Sequence, residues 1–171
     1  ARHDDDPFAR YEALQQLIVR HLVAAVSGAL SDAERSAGRD AIGAAIGAIL
    51  DDTALDDLMR GELLILPGES YLAEQIANAD PTRIFAEREG LKRWLGGHLR
   101  EKWLALHDRC CAVPYSLDPA ARGARKVKTQ ALVLLAAGVP ERAATLAAAQ
   151  FDAADNMTDR QGALMVLAGL D

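Results

Sequence analysis

The chain has 171 residues, half of them hydrophobic and only 5% aromatic, and carries a formal charge of -6. That length and apolar content suffice for one buried core, while the acidic balance speaks against a nucleic-acid binder, which needs a basic stripe. No apolar run approaches the roughly 20 residues of a membrane helix, and abundant alanine with leucine, arginine and glutamate predicts an all-α protein.

The opening "ARHDDDPFARYEAL" has no basic-then-apolar signal region. It also lacks an initiator methionine, as a segment excised from a longer chain would. Asp6-Pro7 predicts the first helix start. Aspartate accepts hydrogen bonds from the free amides of a first turn, and proline fits the first helical position because no donor is needed there. Leu14, Leu17, Ile18, His21, Leu22 and Ala25 then fall on one face at helical spacing.

Ser31 with Glu34 forms the pattern of a capping box, and Ile42, Ile46, Ile49 and Leu50 continue that helix. The small residues between them (Gly43, Ala44, Ala45, Gly47, Ala48) predict a neighbouring helix at close range. Asp80-Pro81 marks another start, and Leu91, Trp94, Leu95, His98, Leu99, Trp103 and Leu106 form the longest apolar stripe. Asp118-Pro119 opens a helix running to about Ala137, ended by Gly138, with Pro140 opening the next. Asp155-Asn156-Met157 reads as a short connection, its polar residues serving turn geometry and side-chain-to-backbone bonds. Thr158, paired with Gln161, then caps a last helix.

The predicted structural caps are therefore Asp6, Ser31, Asp80, Asp118 and Thr158. No period-two alternation or hairpin signal appears. The expected architecture is one domain of about eight or nine helices joined by short turns, which favour antiparallel neighbours. No repeat of fixed period is visible, so the named repeat families are not supported.

Candidate chemistry is sparse. Of the four histidines, His3, His21, His98 and His107, none belongs to an H-E-x-x-H pattern. His21 and His98 sit on apolar stripes and read as hydrogen-bonded core residues. His107 and Cys111 share a helix face, but a metal there needs two more ligands, so a structural pair near a helix end is the reading adopted. The two cysteines, Cys110 and Cys111, are adjacent and form neither a disulfide framework nor a CxxC pair. This points to a reducing, cytoplasmic setting.

Arg122, Arg125, Lys126 and Lys128 form a basic run on a helix surface, and Asp51, Asp52, Asp56, Asp57 and Glu62 form an acidic counterpart without calcium-loop spacing. A Gly-rich phosphate loop and a G-x-S-x-G elbow are both absent. No catalytic, metal-binding or substrate-binding residue is assigned.

Four blocks carry a resemblance that covers nearly the whole chain. They are "RHDDDPFARYEALQQLI", "LILPGESYLAEQIANADPTRI", "PYSLDPAARGARKVKTQALVLLAAG" and "AQFDAADNMTDRQGALMVL", the last the most specific. In this order they resemble the C-terminal helical domain of bacterial aminopeptidase N, a zinc metallopeptidase of the gluzincin group. The resemblance implies a superhelix of paired helices, an α-solenoid, corresponding to the first part of that domain.

It also implies a parent enzyme that removes N-terminal residues from peptides. The parent's zinc would sit in a separate upstream domain, so this segment would be inactive, hold no cofactor and help wall the substrate chamber. The implied partners are the parent's catalytic domain, its remaining C-terminal helices and its peptide substrates. Neither nucleic acid nor membrane is expected. Leu164, Val166, Leu167 and Leu170 spread around the last helix, as a helix expecting neighbours on most sides would show. An exposed apolar end and self-association through it follow for the isolated segment. The competing reading is a free-standing helical adaptor that binds a protein partner in a groove.

Overall fold

The computed structural model describes residues 7–170, and side chains from residue 9. Asp6 and His3 lie outside the described residues. The described residues form nine helices and no strand: α1 (Pro7–Val26), α2 (Asp32–Asp51), α3 (Asp57–Leu63), α4 (Glu69–Glu74), α5 (Pro81–His98), α6 (Arg100–Cys111), α7 (Pro119–Gly138), α8 (Pro140–Ala153) and α9 (Met157–Ala168).

Side chains at the helix ends explain most of these boundaries. Gly28, at a φ of +69°, ends α1, and Ala29 N–H reaches back to Ala24 O at 3.0 Å, a left-handed closure that suits glycine. Ser31 and Glu34 exchange the reciprocal bonds of a capping box at the start of α2. Asp56 accepts from Met59 N–H at 2.9 Å and caps α3; the sequence reading placed this residue only in an acidic run. Asp80 accepts from Thr82 N–H at 2.9 Å and caps α5.

Two of the expected caps need correction. Asp118 occupies the N-cap position of α7, but its side chain makes no capping bond. Its carboxylate instead accepts from Ser116 Oγ at 2.7 Å, in a tight local turn that draws it away from the helix amides. Thr158 lies exposed inside the first turn of α9, and the cap is Asn156, which accepts from Asp159 N–H at 3.0 Å. The helix starts one residue before Thr158, so the threonine hydroxyl has no free first-turn amide to cap. Asn156→Ala should therefore cost about 1 kcal/mol in urea unfolding, and Thr158→Ala almost nothing.

The longest apolar stripe does not lie on one continuous helix. At Leu99 (φ −106°, ψ 21°) the chain breaks between α5 and α6. There Leu95 O accepts both Leu99 N–H at 3.1 Å and the indole N–H of buried Trp103 at 3.0 Å. A side chain drawn into the backbone ladder is a recognised cause of such breaks.

A single core runs through the described helices, from Leu14, Ile18 and Leu22 in α1 through Leu91, Leu95 and Trp103 to Leu132, Leu135 and Val166. Its hub is α7, which packs against α3, α5, α6, α8 and α9. Helices α1 and α2 pack together, as do α8 and α9.

Close crossings are made where side chains are missing. A Cβ on Gly96 of α5 would lie 2.0 Å from Leu134 O and 2.8 Å from Gly138 N in α7, so the two backbones touch directly. Gly43 performs a related service in α2: a Cβ there would sit 2.8 Å from the Trp94 ring.

Candidate functional site

The acidic run does not form an open cation site: four of its five carboxylates are paired with basic residues, and the fifth, Asp56, caps α3. Asp57 accepts two bonds from Arg109, at 2.8 and 2.9 Å, and one from Arg60. Burial alone would raise its pKa, but the Arg109 and Arg60 guanidinium groups outweigh it and hold the carboxyl below the usual range. Arg10 binds Asp52 at 2.8 Å, Lys102 pairs with Asp51, and Lys126 pairs with Glu62. Arg60 is buried and also donates to Ile49 O at 3.3 Å and to Asp52 O. In the open cleft of about 910 Å³ beside Asp51, Asp52 and Asp57, those three carboxylates all meet a basic side chain.

The basic run divides along α7. Lys126 pairs with exposed Glu62, while Arg125 donates to Ser116 O at 2.8 Å and lies 5.0 Å over the Tyr115 ring. Lys128 turns inward and meets Asp159 Oδ2 at 2.7 Å, with both residues buried.

That buried pair belongs to a polar network joining four helices. Asn156 Nδ2 donates to Asp159 Oδ2 at 3.0 Å and to Asp155 Oδ1 at 2.9 Å. Gln150 of α8 donates to Asp159 O at 2.9 Å and turns its Oε1 toward His107 Nε2 of α6 at 3.2 Å. Cys111 Sγ lies beside the same ring, 3.6 Å from Nδ1 and 3.8 Å from Nε2. Cys111, Lys128, Gln150, Asn156 and Asp159 line one side of a small cleft of about 270 Å³, with Tyr115 and Arg125 among its other walls. This network is the densest chemistry among the described residues, and sequence reasoning had joined only His107 with Cys111.

The other histidines take different places. His21 is buried with its ring against the Gly38 backbone, and burial followed by the Arg39 and Arg35 charges lowers its pKa. His98 is not a core residue: it is exposed and stacks on Trp94 with ring centroids 4.3 Å apart. It packs on half-buried Trp94 at the crossing with α2, where a Cβ on Gly43 would lie 3.3 Å from its Cδ2, so it covers the edge of the stripe instead of entering the core. Cys110 is buried, and burial pushes its thiol up to about 11, the state of an inert core cysteine.

A third feature is an open groove of about 760 Å³ between α1 and the segment 65–75, bordered by Tyr11, Val19, Leu66 and Tyr71. Among the described residues, no three His, Cys, Asp or Glu side chains are grouped to hold a metal ion. No described helix is long and apolar enough to cross a membrane.

The family DUF3458_C, described as a domain of unknown function with ARM repeats, matches residues 1–171. The chain belongs to this family. The DUF3458_C assignment corrects the expectation that no repeat family applied. The helices here range from 6 to 20 residues, so a stack of helical pairs leaves no fixed sequence period. It also agrees with the all-α fold expected from the sequence.

The DUF3458_C chain is 29% identical to Escherichia coli (strain K12) aminopeptidase N over 168 residues, 95% of this chain and 19% of that protein. It is 32% identical to Caulobacter vibrioides aminopeptidase N over 162 residues, 94% of this chain and 18% of that protein. In fold it matches a crystal structure of Legionella pneumophila aminopeptidase A in complex with aspartic acid. The TM-score is 0.79 at 24% identity, over 98% of this chain and 20% of that one. The chain therefore spans about a fifth of the length of these relatives. The resemblance to aminopeptidase N is borne out at this level.

Proposed function

We propose that this chain is a non-catalytic helical part of a zinc-dependent aminopeptidase of the aminopeptidase N type. The observation that carries the reading is the match along about 95% of this chain to aminopeptidase N from Escherichia coli. On this reading the segment is the first part of the enzyme's C-terminal domain and forms wall and scaffold around a chamber that admits peptides. Its partners are the catalytic domain and the remaining C-terminal helices, and the enzyme is cytoplasmic.

Among the described residues, no side chains are grouped as a zinc ion needs. Their nearest approach to a ligand set is His107 with Cys111, and His107 is already bonded to Gln150. The zinc is accordingly assigned to a catalytic domain outside this chain, and no step is derived through it here.

The surface of α9 supports a wall that receives further helices. Met157, Leu164 and Met165 are exposed, while Val166 alone of the four expected apolar positions is fully buried and Leu167 and Leu170 are half-covered. Exposed apolar side chains concentrated on one helix suit a docking surface, and the same face would let the isolated chain self-associate. The test is an aminoacyl-anilide assay of the isolated 171-residue protein with added zinc. No turnover is expected, and robust turnover abolished by a chelator would overturn the non-catalytic assignment. The complete reading frame tests the rest: an upstream H-E-x-x-H is expected, and its absence removes the aminopeptidase reading.

A further inference from the structure

The chain carries 19 lysines and arginines against 25 aspartates and glutamates, so a surface cleft is expected to hold acids beside its bases. Each of the three clefts described above does: its lining includes at least one Asp or Glu together with at least one Lys or Arg. A further cleft of about 350 Å³ departs from that pattern. It is lined by Arg122, Arg125, Lys126, Thr129, Gln130 and Thr158, three cations and no carboxylate.

Helical spacing assembles the row. Arg122, Arg125, Lys126 and Thr129 recur on one face of α7, Gln130 extends that face, and Thr158 closes the cleft from α9. Arg125 is already held in place, since it donates to Ser116 O at 2.8 Å and lies 5.0 Å over the Tyr115 ring; neither partner cancels its charge. Arg122 is exposed and makes no ion pair among the described residues. Lys126 does have a carboxylate, but one outside the cleft lining: Glu62 of α3, whose side chain is 57% exposed. An exposed pair of this kind contributes little, so Glu62 yields to a better-placed acid. The Thr158 hydroxyl, which is not the cap of α9, adds a neutral donor.

We propose that this face of α7 is a docking site for a short acidic stretch of polypeptide, its carboxylates held by Arg122, Arg125 and Lys126. Each guanidinium fork matches a carboxylate with two parallel hydrogen bonds. From Arg122 to Gln130 the helix rises about 12 Å, the reach of about four extended residues, so more than one acidic side chain seats at once. A free phosphate engages only part of that row. A long polyanion such as a nucleic acid meets the repulsion of a chain with a net charge of -6. The rim also suits a polypeptide: Tyr115, beneath Arg125, is 51% exposed, and Met157, next to Thr158 in the chain, is 75% exposed. These are apolar surfaces that a peptide covers and a bare ion does not.

The test titrates the whole 171-residue chain with a short labelled peptide of alternating Asp and Glu. The comparison probes are its Asn and Gln counterpart, inorganic phosphate and a single-stranded oligonucleotide. The acidic peptide should bind, more weakly as salt is added, and should shift the NMR amide signals of residues 122–130 and Thr158. Arg122→Gln, at an exposed position, should weaken binding about fivefold. Glu62→Gln frees Lys126 and should tighten binding about threefold. Glu74→Gln makes the same charge change on α4, which does not pack on α7 among the described residues, and should do far less. Absence of binding, or equal binding of the Asn and Gln peptide, phosphate or the oligonucleotide, would overturn the proposal. So would equal effects of Glu62→Gln and Glu74→Gln, or signals that shift elsewhere on the chain.

Discussion

Replacing Gly138 by alanine is expected to lower the unfolding free energy by about 3 kcal/mol or more, the upper end of the range for overpacked sites. The added Cβ would lie 2.2 Å from Gly97 N and 2.3 Å from Gly96 C. Backbone atoms cannot swing aside as a side chain can, so α5 and α7 must separate. Because α7 is the hub, that separation reaches the packing of α3, α6, α8 and α9 as well.

Gly96→Ala makes the sharper test. In a helix interior alanine is favoured over glycine by about 1 kcal/mol, so propensity and packing predict opposite signs at this position. The contact of 2.0 Å to Leu134 O decides for packing. Gly68→Ala is the steric control: nothing lies within 4 Å of a Cβ there, and the change, at the N-cap of α4, should cost no more than about 1 kcal/mol. Urea unfolding curves of the three variants check this. A stabilised Gly96→Ala would show that the two helices do not touch at this crossing.

Lys128→Met is the second large effect, with an expected loss of about 3–5 kcal/mol. The substitution fills similar space but leaves the Asp159 carboxylate buried without its cation, and Asp159 Oδ1 has no hydrogen-bond partner among the described residues to begin with. The double variant Lys128→Met, Asp159→Leu should recover much of that loss, since a buried ion pair replaced as a whole by apolar groups is often near neutral. Recovery will be incomplete, because Asp159 also holds the Asn156 amide.

Lys126→Ala, which removes the pair with Glu62, is the surface comparison and should cost at most about 1 kcal/mol. Added salt should weaken the Lys126 pair and leave the Lys128 pair almost untouched. Equal losses for Lys126→Ala and Lys128→Met would mean that burial does not govern these pairs.

Local chemistry made several helix ends legible in advance. The Ser31–Glu34 box, Asp80 before Pro81, and Gly138 followed by Pro140 are each a short stretch whose own atoms satisfy or block the terminal hydrogen bonds. The apolar faces of α1 and α2 were readable for the same reason, since a period near 3.6 puts Leu14, Ile18 and Leu22 on one side whatever the partner. Where two local chemistries competed, the reading slipped. Ser116 captured Asp118, and Asn156 reached the free amides before Thr158 could.

The tertiary structure alone decided which polar residues meet. Lys128 and Asp159 are 31 residues apart, His107 and Gln150 are 43, and Arg109 and Asp57 are 52. No periodicity encodes such pairings, so one basic run could send Lys126 to solvent-facing Glu62 and Lys128 into the core. The same holds for glycine: a stripe of small residues permits close approach, but only the crossing of α5 over α7 makes Gly96 and Gly138 touch. Helix ends depend on neighbours within a turn, and the sequence by itself determines them. The polar network and the crossings depend on where whole helices come to rest, and that is settled by the packing of the entire core.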